Sequence, residues 1–172
     1  YRVSSISPDD VRHLFELREA LECQAARLAA QRGETAVFRG LAQRFADATD
    51  LLSPEDPDHA MYYSLVADLD AALDEAMASP AVQRALSSLR SQVARSRRLS
   101  RDDHARLVAA AREHRHIAEA IANGDGTLAA QATAIHLRAS LTNILAALAA
   151  PDSPTDRAAE PPLNAPLEER VS

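Results

Sequence analysis

What most constrains this chain is its punctuation. Strong helix starts and stops recur along it, and the segments between them carry apolar residues at helical period. Ser7-Pro8-Asp9-Asp10 combines an N-cap hydroxyl, a proline at the first helical position and acids in the first turn. Each of these satisfies or complements the unpaired backbone N–H groups of a helix N-terminus. The helix so opened is predicted to run to Arg32, with Gly33 as its stop. A second is predicted over 35–52, weakened at Gly40, before "SPEDPD" breaks the chain. A third follows over 57–78. Ser79-Pro80 repeats the cap-plus-proline signature and opens a fourth over 80–99. Ser100 to Asp103 opens a fifth that ends at Asn123-Gly124, and a sixth covers 126–150. Six helices with short joints pack by default as an all-α antiparallel bundle.

Composition agrees. Ala and Leu dominate, only 4 glycines occur and Trp is absent, a balance that favours helix over sheet. The net charge of -6 excludes a basic, nucleic-acid-binding role for this segment as a whole. All basic residues are Arg and none is Lys, which reads as coding bias. Cys23 is the single cysteine, so no internal disulfide forms. No uninterrupted apolar run approaches the ~20 residues of a bilayer span, and no signal peptide is visible. The expected setting is the cytoplasm, with no membrane partner. At the edges, "YRVSSIS" (1–7) alternates like the end of a strand plus a linker. The stretch from 151 to 172 is Pro-rich and polar and is expected to be a disordered tail.

The apolar stripes can be written out. Helix one offers Val11, Leu14, Leu21, Ala25 and Leu28; helix three Val66, Leu73 and Met77, flanked by Leu65, Leu69 and Ala76. Helix five offers Leu107, Ala110, Ile117 and Ile121; helix six Leu128, Ala132, Ile135 and Ala139, then Leu141, Ile144, Leu145 and Leu148. Four ionisable residues interrupt them: Arg18 on helix one, Asp70 on helix three, His114 on helix five and His136 on helix six, with Asn143 a heptad after His136. Burying such a group without a partner costs several kcal/mol, so one shared site explains four of them more economically than four separate exceptions. Asp70, His114 and His136 form a two-His, one-carboxylate set suited to zinc, nickel, manganese or iron, and Arg18 offers a planar fork suited to a carboxylate. Each residue also has a plainer role. A core His satisfies itself by a hydrogen bond, Arg18 has Glu22 and Asp70 as ion-pair partners, and Asp70 lies beside Asp68 and Asp74 on what reads as a solvated acidic face. Spacing alone does not decide between these.

Three segments carry a family resemblance. "LFELREALECQAARLAAQR" (14–32) resembles the opening helix of the FCD domain, the effector-binding half of FadR-type GntR transcription regulators. "LDAALDEAMASPAVQRAL" (69–86) is similar to that family's "FHxxLxxAxGNPxL" segment. "EHRHIAEAIANGDGTLAAQATAIHL" (113–137) resembles its "EHRAIxxAIxxGDxxxAxxAMxxHL" segment, agreeing in the His-to-His spacing and in the Gly-Asp turn. The resemblance spans about residues 8–150 and implies a bundle of six to seven helices around a central ligand cavity. That cavity often holds a divalent metal, with a carboxylic-acid effector at or beside it. It also implies a homodimer and an N-terminal winged helix–turn–helix domain that contacts DNA, of which residues 1–7 would be the end. His114 and His136 match the family's later metal-binding pair, and Arg18 matches an arginine that approaches the effector. The family's earlier Asp and His fall on Val66 and Asp70, so one ligand is lost and one is changed in type.

The expected function is therefore that of an effector-sensing, dimerising domain. It would bind a small organic acid through Arg18, with Asn143 a further candidate, near a divalent metal held by Asp70, His114 and His136. Two other classes fit the same residues: a two-His-one-carboxylate metalloenzyme, and a structural helical dimerisation module without a ligand. The Arg-rich run 90–101 reads as a solvated face, or as a surface turned to another domain or subunit.

Overall fold

The computed structural model describes residues 7–52, 58–97 and 103–150. Six α-helices follow in order: α1 (Pro8–Arg32), α2 (Thr35–Ala46), α3 (Ala60–Met77), α4 (Pro80–Arg97), α5 (His104–Ala122) and α6 (Gly126–Ala149). A 3-10 turn, Ala48–Leu51, lies between α2 and α3. No strand occurs among the described residues, and the chain is an all-α bundle. The predicted edges, 1–6 and 151–172, lie outside the described residues, as do the chain break at 53–57 and the start signal at 100–102.

The caps work as their chemistry demands. Ser7 accepts from the Asp9 N–H at 3.2 Å, Asp103 from the Arg106 N–H at 3.0 Å and Asp125 from the Leu128 N–H at 2.9 Å. Gly40 leaves α2 unbroken; the helix ends instead at Ala46, six residues short of the predicted limit. Asp47, Thr49 and Asp50 are weak helix formers, and the tighter 3-10 turn buries both Ala48 and Leu52.

Helix α1 is the hub. Its Ala26, Ala29 and Ala30 join the main core, built with α2, α3, α5 and the start of α6. Val11 and Phe15 pack with Leu137 and Ile144 of α6 in a second cluster. Ala25 packs with Met77, Leu86 and Leu89 in a third, which Leu14, Leu21 and Leu28 cover from the side. A helix buried on several faces cannot have one apolar stripe, so Leu14, Leu21 and Leu28 sit at its half-buried flank rather than at its deepest face. The predicted stripe of α5 is buried as written, His114 included. That of α6 is not. Leu128 and Ile135 are 48% and 63% exposed, while Ala129, Ala130, Thr133, His136 and Leu137 are buried. Small side chains let α6 approach α1 closely, to the point that the Cys23 thiol donates to the Ala130 carbonyl at 3.3 Å. Close approach, not side-chain size, decides which face turns inward.

By length and composition α6 is the one described helix apolar enough to cross a membrane, with a mean hydropathy of 1.2 over its best window. Gln131, His136 and Arg138 interrupt its apolar sequence. In the fold it packs lengthwise against α1 and α5.

Three backbone positions set expectations for stability. A Cβ at Gly33 would stand 2.7 Å from the Ala29 carbonyl oxygen and 2.8 Å from the Phe38 ring, whereas at Gly40 it would meet nothing within 4 Å. Ala78 closes α3 with φ 45°, a left-handed conformation that favours glycine. Gly33→Ala should therefore destabilise by about 1–3 kcal/mol. Gly40→Ala should stabilise by about 0.5–1 kcal/mol, and Ala78→Gly should stabilise by about 1–2 kcal/mol. Denaturant unfolding of the three variants checks the signs.

Candidate functional site

The α5–α6 joint fixes the register of the site. Gly124 turns the chain with φ 71°, and Asp125 caps α6. Gly126 packs against the backbone of Arg27 on α1, where a Cβ would come within 3.3 Å of a carbonyl oxygen. His114 lies ten residues before Gly124 and His136 ten residues after Gly126. At ~1.5 Å of rise per residue, two antiparallel helices bring them to the same height. Their ring centroids are 4.4 Å apart.

The two rings face a cavity of about 110 Å³ that five helices line. Arg18 and Glu22 come from α1, Asp70 from α3, Arg90 from α4, His114 from α5, and His136 with Thr133 from α6. Three of the predicted metal-site residues and Arg18 are thus brought to one cavity. Asn143 is not among the residues that line it; its side-chain nitrogen, two turns further along α6, is buried with no hydrogen-bond partner among the described residues.

Arg18 is 1% exposed. Its Nε donates to Glu22 Oε1 at 2.7 Å, and its plane lies over the Phe15 ring at 4.5 Å, a cation–π contact. Nη1 has no partner among the described residues. A buried guanidinium with one nitrogen unmet carries a desolvation cost that a ligand oxygen would offset.

Each histidine is oriented from outside the cavity. Tyr62 Oη lies 3.4 Å from His114 Nδ1, and Phe45 packs against that ring. His136 Nδ1 lies 2.7 Å from Glu113 Oε2. Arg106 grips the same carboxylate through both terminal nitrogens. Burial pushes the Glu113 carboxyl up, but the hydrogen bonds from Arg106 and His136 outweigh it and hold it below its ordinary value. An ionised Glu113 accepts only, so His136 carries a proton on Nδ1.

At the mouth, Asp70 is half-exposed and its carboxylate lies 4.0 Å from Arg90 Nε. Arg90 is held mainly by Asp74, which takes both of its terminal nitrogens. Asp68, the third acid of that predicted acidic face, pairs with Arg44 instead. The Arg-rich run therefore turns its first member inward; the side chains of Arg95, Arg97, Arg98 and Arg101 lie outside the described residues. Sequence reasoning also missed Glu113 and Arg106. Their signal was local: Glu113 adjoins His114, and Arg106 stands two turns earlier on α5.

A metal centre needs donors that converge. Among the described residues, no group of three or more His, Cys, Asp or Glu side chains is placed to hold a metal ion. Asp70, drawn toward Arg90, does not close on the histidine pair. As placed, these residues do not fit a three-ligand centre.

The comparison with known families now has a geometry to stand on. The sequence matches the FCD domain over residues 13–139, from α1 through most of α6. The chain belongs to the FCD family. FCD is the FadR C-terminal domain found in GntR-family regulators, and the match makes the chain a regulatory, effector-binding domain of that type. No curated protein and no solved structure matches the chain. Within this FCD domain, then, the five-helix cavity is the candidate effector site.

Glu113 holds the α5–α6 side of that site together. Its carboxyl titrates below the ordinary value in the fold, so it contributes stability above about pH 4.3 that is lost as the pH falls through the folded value. Glu113→Gln should therefore lower stability at pH 7 and show a smaller further loss between pH 6 and pH 3 than the parent chain. Denaturant midpoints across that range check both.

Proposed function

We propose that this FCD domain senses a small organic acid whose carboxylate is held by Arg18 inside the bundle. The observation that carries the reading is the Arg18 guanidinium itself: buried, at the wall of a cavity, and with Nη1 unmet among the described residues. The planar fork suits a carboxylate. Glu22 holds the Nε edge in place, which preorganises the remaining donors, and the two histidines close the far side. Asn143, with its unpartnered amide, is proposed as a further contact for an effector that extends along α6.

Binding at a point shared by five helices favours one packing of the bundle over another. A differential affinity of a few kcal/mol is enough to shift such an equilibrium strongly. In a homodimer the shift would reset the placement of DNA-binding domains attached ahead of α1. DNA contact belongs to those winged helix domains, not to this segment with its net charge of -6. Leu128 and Ile135, a heptad apart and exposed on α6, support the homodimer. FCD domains belong to transcription regulators, which are generally not enzymes, and the cytoplasm is the setting we propose for this one.

Arg18→Met tests the reading. It keeps the side-chain volume while removing the charge, and leaves Glu22 with access to water, so the fold should survive. Binding of acetate, lactate and malate, followed by calorimetry, should weaken about ten- to a hundredfold, the loss of a charge-assisted hydrogen bond. Unchanged affinity in a folded variant overturns the role of Arg18.

A divalent metal at His114 and His136, with Asp70 drawn in as third ligand, is a second reading. It is favoured by Glu113 on His136 Nδ1, the kind of outer partner that metal-bound histidines have. It requires Asp70 to leave Arg90. Elemental analysis of chain purified without chelator, repeated on His114→Ala, should give near-stoichiometric metal in the first and none in the second if this reading holds. Metal-free parent chain rejects it.

A further inference from the structure

A carboxylate on Arg18 accounts for one end of a ligand, and the wall beyond Arg18 defines the other. Contacts between α1 and α6 run in opposite order: Val11 packs with Ile144, the Cys23 thiol meets the Ala130 carbonyl, and Gly126 lies on Arg27. Helix α1 is thus antiparallel to α6 and parallel to α5. Counted from the Cys23–Ala130 contact, five residues back on α1 and six residues on along α6 set Arg18 opposite His136. Beyond this polar level, Ala25 stands two turns further along α1 and Ile117 about one turn further along α5. Ala25 packs there with Leu86 of α4. Leu69 and Leu73 of α3 complete an apolar wall on the same cavity, with Leu73 half-buried and the other four buried.

That wall selects against a second polar group. The other guanidinium that lines the cavity, Arg90, gives both terminal nitrogens to Asp74 and turns Nε toward Asp70 at 4.0 Å. The carboxylates of Glu22 and Asp70 line the same space. A dicarboxylate would set its second charge against them, where partial desolvation makes like charges repel more than in water. A hydroxyl at the far end of the ligand would press on leucine and isoleucine side chains, which offer no hydrogen bond, and would lose its hydration. A methyl or methylene group there gains by leaving water.

We infer that the ligand is a short aliphatic monocarboxylate, of the size of propionate or butyrate, with its carboxylate on Arg18 and its alkyl end against Leu69, Leu86 and Ile117. This rests on the carboxylate-sensing reading above and adds the body of the ligand. The volume sets the length. An apolar cavity of ~150 Å³ accepts benzene, with its six heavy atoms, so a cavity of about 110 Å³ holds about four or five by proportion. Propionate has five, and the half-exposed mouth at Asp70 and Arg90 gives room for one more. Longer chains would carry methylenes past the apolar wall to those charged side chains and to water.

A homologous series tests it: acetate, propionate, butyrate, pentanoate and hexanoate, followed by calorimetry on the 172-residue chain with EDTA present. Affinity should rise about threefold per methylene from acetate to butyrate and gain nothing from butyrate to hexanoate. Butyrate should bind about tenfold or more tighter than succinate and 4-hydroxybutyrate, which differ from it only at the far end. Ile117→Val, a mild change that lengthens the apolar end by one methylene, should make pentanoate bind tighter than butyrate and leave acetate unchanged. Succinate or 4-hydroxybutyrate binding as tightly as butyrate, an affinity flat with chain length, or an optimum unmoved in folded Ile117→Val overturns the alkyl end while leaving carboxylate sensing in place. Absence of binding by every acid to folded chain overturns the two together.

Discussion

A guanidinium buried to 1% exposure in the middle of an alanine-rich helix is the constraint around which this bundle is arranged. An isolated charge in that position would be expelled or left at a cost of several kcal/mol. Arg18 is kept there by Glu22 one turn on, by the face of Phe15, and by a cavity that leaves part of its fork open. Because α1 touches all three apolar clusters, the charge sits where they meet, and any group that binds it is felt by helices that pack against α1 from every side.

The α5–α6 pair supplies the opposite wall by a different device. A left-handed glycine, an Asp cap and a glycine pressed against α1 fix a tight joint, and equal ten-residue spacings from its two glycines place two histidines level. Arg106 and Glu113 then lock the His136 ring from behind. On this side the cavity is thus bounded by two preorganised rings whose partners, Tyr62 and Glu113, lie outside its lining. That is the arrangement a sensing site needs if small ligands are to act on helix packing rather than on loose side chains.

Much of this was legible in the chain. Caps and prolines marked the helices because their chemistry is local, and the α5 stripe was read correctly because one helix face alone meets the core. Arg18, Asp70, His114 and His136 stood out as polar residues at apolar period, and the fold does bring them to one cavity. Three things were hidden. The inward face of α6 was misjudged at Leu128 and Ile135, since alanine-mediated close approach outweighs side-chain size. Arg90 looked like one more solvated arginine, because its partner Asp74 lies on a preceding helix across a turn. The convergence of Asp70 with the histidines was a matter of ångströms that spacing does not carry, and Asp70 leans to Arg90.

The account turns on a carboxylate sitting against Arg18 inside the bundle, and arginine side-chain NMR reads that atom directly. The Nε–Hε resonance of Arg18, assigned through its absence in Arg18→Met, should be visible in the free chain because burial slows its exchange with water. Titration with butyrate and L-lactate should move it along a saturable curve for whichever is bound. Ligand binding confirmed by calorimetry with the Arg18 resonance unmoved would place the ligand elsewhere and contradict the account.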